Sequence, residues 1–167
     1  MLRRHVAERA DPHRDAGNSA VVLRLRGRAD LAHDIGHPPV GHAGERSLNA
    51  LMENYGGFEG NAQTLRILTR TIYNSGPQGR SGMSPSRALL DGILKYKRLH
   101  RDRNGEHNHF IYDDQAEILD FCFGAGEWTA ALSPTTANDF HSLECQVMDC
   151  ADDIAYSPLL FGYTNYA

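Results

Sequence analysis

Apolar positions recur at helical spacing in five short stretches of the chain, separated by segments rich in glycine, proline and charge. Residues 29–36 read as the end of a helix stopped by Gly36 and the Pro38-Pro39 pair, because proline lacks a backbone donor and disfavours helical geometry before it. Leu48, Leu51 and Met52 predict a helix over 44–53, closed by Gly56-Gly57. Leu65, Leu68 and Ile72 predict another over 61–73, with Asn61 as its cap. Leu89, Leu90, Ile93 and Leu94 mark a short amphipathic helix, and Ile118, Leu119 and Cys122 mark one over 115–123. Over 142–156, Val147, Met148, Ala151, Ile154 and Ala155 form a stripe expected to face a core, and Pro158 is expected to end that helix.

The intervening segments complete the outline. Residues 1–28 carry seven arginines and no sustained period, and read as an arm outside the core. Residues 74–86 read as a loop or lid, and 95–109 as an exposed polar connection. No alternating run is long enough for a sheet and no internal repeat occurs, so the fold class is all-α. At 167 residues the length fits one core.

Composition narrows the function. A net charge of −4 argues against a dedicated nucleic-acid binder, and no apolar run approaches the roughly 20 residues of a membrane span. Cys122, Cys145 and Cys150 lack the pairing of a disulfide or zinc scaffold. They read as reduced, buried small hydrophobes in a cytoplasmic protein. Nine histidines are many for this length, and imidazole is a common metal ligand.

The densest chemistry is the run from His33 to Glu45, which holds His33, His37, His42, Asp34 and Glu45. An adjacent His-Asp pair offers nitrogen and hard oxygen, a set that suits Mn²⁺, Fe²⁺, Zn²⁺ or Mg²⁺ better than Ca²⁺. Two ligands do not hold a metal, and the best further candidates are Asp152 and Asp153. His42 and Glu45 are three residues apart, close enough for the carboxylate to orient the imidazole as a general acid/base pair needs. His5, His13, His100, His107, His109 and His141 read as surface residues.

His33-Asp34 followed by Gly-His-Pro-Pro-Val-Gly-His-Ala-Gly-Glu resembles the metal motif of the HD-domain deoxyguanosinetriphosphate triphosphohydrolases. Three further segments agree: Gly56 to Leu68, Leu94-Lys95-Tyr96, and Gln146 to Ser157. The resemblance covers 29–157 and implies a helical HD-domain core there, with a divergent tail at 158–167. It implies a divalent metal (Mn, Mg or Fe) held by His33, Asp34 and Asp152, the first Asp of its pair, with Asp153 as a neighbour. By the same resemblance His42 and Glu45 are the catalytic pair, while His37, Gln63, Arg66, Lys95 and Tyr156 contact substrate. The implied reaction is hydrolysis of a deoxynucleoside triphosphate to deoxynucleoside and inorganic triphosphate, in a homo-oligomer.

The chain departs from this pattern at both ends. The family's upstream ligand lies in a Thr-His-Ser-x-Glu-Val helix, which neither His5 nor His13 matches, and after Ser157 the chain reads Pro158-Leu159-Leu160. The expectation is therefore a bundle truncated at both ends. Two alternatives follow: a catalytically silent fragment acting as a binding or oligomerisation partner, or an HD phosphohydrolase of another nucleotide.

Overall fold

The computed structural model describes residues 31–73, 82–124 and 137–163, with side chains through residue 154. The arm at 1–28, most of the 74–86 loop, and the side chain of Tyr156 lie outside the described residues. The described residues are all-α. Residues 31 and 32 are helical and 33–36 form a turn. Then come α1 (Gly41–Leu51), α2 (Gly60–Arg66), α3 (Arg87–Ile93), α4 (Ala116–Phe123) and α5 (Leu143–Tyr163). Short 3-10 turns punctuate them, and the single bridge among the described residues is parallel, between Leu99 and Ile111.

The core forms where α3 packs on α2, α4 and α5. It is built from Leu65, Leu68, Leu90, Ile93, Phe110 and Leu119, the first from α2 and the second from the turn that continues it. Beyond Arg66 the helix widens into a π turn, Ile67–Thr71, closed by Ile72 N donating to Ile67 O at 3.0 Å. The carbonyl of Leu68 accepts instead from Met83 N at 2.8 Å, docking the segment that leads into α3.

Several sequence expectations are corrected. The cap of α2 is Glu59, whose Oε2 accepts from Ala62 N at 2.8 Å; Asn61 lies inside the helix and donates to Glu59 Oε1 at 2.9 Å. The 95–109 segment is not an exposed connection throughout, because Lys97 and Leu99 are buried. The Lys97 ammonium donates to Leu94 O at 2.6 Å and Phe140 O at 2.7 Å, which offsets its burial; that burial lowers its pKa. On α5 the buried residues are Cys145 and Met148, whereas Ile154 and Cys150 are exposed. The helix is turned so that Asp149 and Asp152 face the groups beside them, which carries Ile154 outward. Cys122 is half-buried. The helix also continues through Pro158 to Tyr163. A proline removes one hydrogen bond at a cost of about 3 kcal/mol, which a long helix can absorb without ending.

Glu59 makes a testable contribution to stability. Its side chain is 2% exposed, and burial pushes its carboxyl up to about 7, an effect the neighbouring Glu45 charge reinforces. In the unfolded chain the same group titrates near 4.5. The folded form therefore keeps a proton that the unfolded form has lost, so this contribution is full below pH 4.5 and disappears as pH rises to about 7. Across that window the difference is about 3 kcal/mol. Glu59→Gln keeps the acceptor and removes the ionisation. Its urea midpoint should vary less than the parent's between pH 4.5 and 7, and should equal or exceed it at pH 8. A parent-like pH slope in the variant would assign the dependence to other groups.

Candidate functional site

The turn at 33–36 presents His33 and Asp34, and α2 holds it in place. Thr64 is the clamp: its hydroxyl donates to His33 O at 2.7 Å and accepts from Gly36 N at 3.0 Å. Gly36 is required for this approach, since a Cβ there would lie 2.2 Å from Thr64 N and 2.5 Å from Gly60 O. Held this way, His33 Nε2 lies 3.4 Å from Asp34 Oδ2 and 3.4 Å from Asp152 Oδ1 on α5. The three donor atoms lie within 4.8 Å of one another, so residues 118 positions apart in sequence converge on one nitrogen and two oxygens. That donor set fits a divalent metal, and Asp153, on the exposed side of α5, takes no part in it.

The segment from Pro38 leads directly into α1. Val40 there adopts a left-handed φ of 70°, which a β-branched residue tolerates only under constraint. The turn delivers His42 one residue into α1 and Glu45 three residues further, and His42 Nδ1 lies 3.1 Å from Glu45 Oε2. Glu45 Oε1 accepts from Gly60 N at 2.8 Å, so the carboxylate is fixed by α2 as well. Glu45 is largely covered while His42 is open to solvent. His37 joins the two groups: its Nδ1 is 3.5 Å from Asp34 Oδ1, and its ring meets that of His42 edge-on at 5.3 Å.

A cavity of about 570 Å³ opens beside this pair, with His42, Glu45, Arg46, Asn49, Phe58 and Arg103 in its wall. The volume lies in the range of small-molecule sites. Asn49 secures the far wall by donating to His107 O and accepting from Phe58 N at 2.9 Å.

The remaining candidates are placed differently. Gln63 and Arg66 line a separate cavity of about 360 Å³ with Tyr55 and Tyr112. The Tyr112 hydroxyl lies 3.4 Å from Gln63 Oε1, and Arg66 pairs with Asp114 at 3.0 Å while lying over the Tyr112 ring at 4.1 Å. Lys95 pairs with Asp149 at 2.8 Å, three residues before Asp152 on α5. Of the histidines expected at the surface, His107 and His109 are exposed. His100 is not: its side chain is 15% exposed and packs edge-on against Phe110. His141 is half-buried beside Asp149, and His5 and His13 lie outside the described residues. Sequence reasoning missed Glu59, which caps α2 at Ala62 N, and Thr64 and Asn49, which act through backbone groups of distant segments. No local spacing marks such a role.

No family model matches the chain. Among curated proteins, a deoxyguanosinetriphosphate triphosphohydrolase-like protein of Bifidobacterium longum is 44% identical over 139 residues, covering 77% of this chain and 27% of its own length. Its counterpart in Corynebacterium glutamicum strain R is 47% identical over 133 residues, 77% of this chain and 29% of the relative. One from Shewanella woodyi is 38% identical over 156 residues, 76% of this chain and 34% of the relative. The chain thus spans about a third or less of the length of these relatives. Over the greater part of its length the chain belongs to the deoxyguanosinetriphosphate triphosphohydrolase-like family.

Proposed function

We propose that this chain carries the hydrolytic centre of a metal-dependent deoxynucleoside triphosphate triphosphohydrolase. The observation that carries this reading is the approach of His33 Nε2 to both Asp34 and Asp152 at 3.4 Å, next to the His42–Glu45 pair at 3.1 Å. A divalent ion (manganese, magnesium or iron) held by His33, Asp34 and Asp152 supplies charge stabilisation at a phosphoryl group. Three protein donors suffice for such a role, since catalytic metal sites commonly leave one position open.

The rest belongs to the chain. Glu45 accepts from His42 Nδ1 and fixes the ring, so His42 Nε2 is the nitrogen turned to the reacting group. In the imidazolium form it gives its proton to the 5′-oxygen as the bond from that oxygen to the α-phosphorus breaks and water adds to the phosphorus, the proton that water sheds passing to solvent. Deoxynucleoside and inorganic triphosphate leave. His37 bridges the metal donors and His42, within reach of a phosphate oxygen. Arg46 and Arg103 in the adjoining cavity offer positive charge to a polyphosphate.

A second reading rests on the alignment covering only 27 to 34% of the relatives: the chain binds metal and pairs with a longer copy without turning over. Manganese-loaded chain incubated with each deoxynucleoside triphosphate separates the two. Triphosphate release that falls about 10²- to 10⁴-fold in His42→Ala supports the first reading. Metal binding with no release supports the second, and release unchanged in His42→Ala removes His42 from the assigned role.

A further inference from the structure

A second group of donors lies on the same stretch of chain as Asp152. His141 stands just ahead of α5, and Cys145 and Asp149 follow at intervals of four on its first two turns, an interval that keeps side chains on one face. Donor atoms of all three residues lie within 4.8 Å of one another. Cys145 is fully buried. His141 Nδ1 is 3.6 Å from Asp149 Oδ2, while His141 Nε2 is buried with no hydrogen-bond partner. A buried imidazole nitrogen without a partner costs free energy unless something coordinates it. The proposed function does not use His141 or Cys145.

We propose that His141, Cys145 and Asp149 form a second metal site, distinct from the His33, Asp34 and Asp152 group, that takes a thiophilic dication of the zinc type. The donor chemistry selects the ion. One nitrogen, one sulfur and one oxygen are the ligands zinc accepts in tetrahedral sites, with the fourth position left to water. Magnesium, calcium and manganese favour oxygen and disfavour thiolate, so the two groups on this chain differ in softness and sort metals between them. On binding, the Cys145 thiol gives its proton to solvent as the sulfur–metal bond forms. The Lys95 ammonium, now 2.8 Å from Asp149 Oδ1, balances the carboxylate in the metal-free chain. Its side chain is one-third exposed, so it can turn to water when a dication takes its place. An ion there would tie the entry of α5 to its second turn, one helical turn before Asp152.

Titrating the metal-stripped full chain with Co²⁺ tests this. The expected result is a thiolate-to-cobalt charge-transfer band whose amplitude corresponds to one thiolate-bound cobalt per chain, apart from any cobalt taken up by the His33, Asp34 and Asp152 group, and which Zn²⁺ displaces. The band should vanish in Cys145→Ser and persist in the Cys122→Ser/Cys150→Ser double variant and in Asp152→Asn. His141→Gln, at a half-buried position that leaves the core intact, should weaken cobalt binding at least about a hundredfold, and Lys95→Met should tighten it. Absence of the band in the parent, its survival in Cys145→Ser, its loss in Asp152→Asn, or parent-like affinity in His141→Gln would each overturn the proposal. None of these outcomes bears on turnover at His42.

Discussion

Asp152→Asn is expected to lower Mn²⁺ affinity at least about a hundredfold, while Asp153→Asn leaves it unchanged. Asp152 Oδ1 lies 3.4 Å from His33 Nε2, and its removal leaves one imidazole and one carboxylate, Asp34, in that group. Two donors do not hold a dication against water. The variant keeps the shape of the side chain and loses only its charge, and the residue is partly exposed, so folding should be intact by circular dichroism. Manganese is the appropriate probe because the sulfur-containing group on the same helix disfavours it. Asp153 shares the helix and the charge but faces solvent, which makes it a control for helix stability and general electrostatics. Calorimetric titration of the three proteins reads the difference. Equal losses in both variants, or none in Asp152→Asn, would remove Asp152 from the ligand set.

Gly36→Ala is expected to destabilise the protein by about 3 to 6 kcal/mol, among the largest effects of any single methyl group in this chain. The added Cβ would meet Thr64 N at 2.2 Å, Gly60 O at 2.5 Å and Gln63 C at 2.7 Å, all backbone atoms of α2. No side-chain rotation relieves contacts of that kind. The turn must move off the helix, breaking the bonds of Thr64 Oγ1 to Gly36 N and His33 O. Two hydrogen bonds, one buried and one partly buried, at about 1 to 1.5 kcal/mol each, added to about 1 to 3 kcal/mol of overpacking, give the figure. Against a stability of about 5 to 15 kcal/mol this is severe, and it also carries His33 away from Asp152. Thr64→Val removes the same two bonds without the clash and should cost about 2 to 3 kcal/mol. Urea unfolding of both variants checks the ordering. A Gly36→Ala protein within about 1 kcal/mol of the parent would mean that the turn is not clamped by α2.

Much of this was legible in the sequence because it depends on short spacings. Apart from Pro158, which α5 passes through, the breaks between helices fall near the glycines and prolines that predict them, and α1, α3 and α4 begin and end within a few residues of expectation. A spacing of three from His42 to Glu45 at a helix start brings imidazole and carboxylate to 3.1 Å, since the backbone geometry of one turn sets that distance. The expected all-α class also stands among the described residues.

Errors arose where a residue's role depends on packing. Asn61 has the side chain of a cap, yet Glu59 takes the position because Gly60 can begin the helix and Glu59 reaches Ala62 N. The polar run at 95–109 hides Lys97, which is buried because Leu94 O and Phe140 O satisfy its charge.

The sequence by itself determined the helices, the donors and the local pairing within the His33 to Glu45 run, because side-chain direction within one element follows from its 3.6-residue period. Only the tertiary structure decided that α5 presents Asp152 to His33 while Asp153 faces solvent, and that Lys95 is held by Asp149. Those choices depend on the rotation of one helix against segments 54 and 119 residues away in sequence. Burial of the whole core fixes that rotation, and no local spacing encodes it.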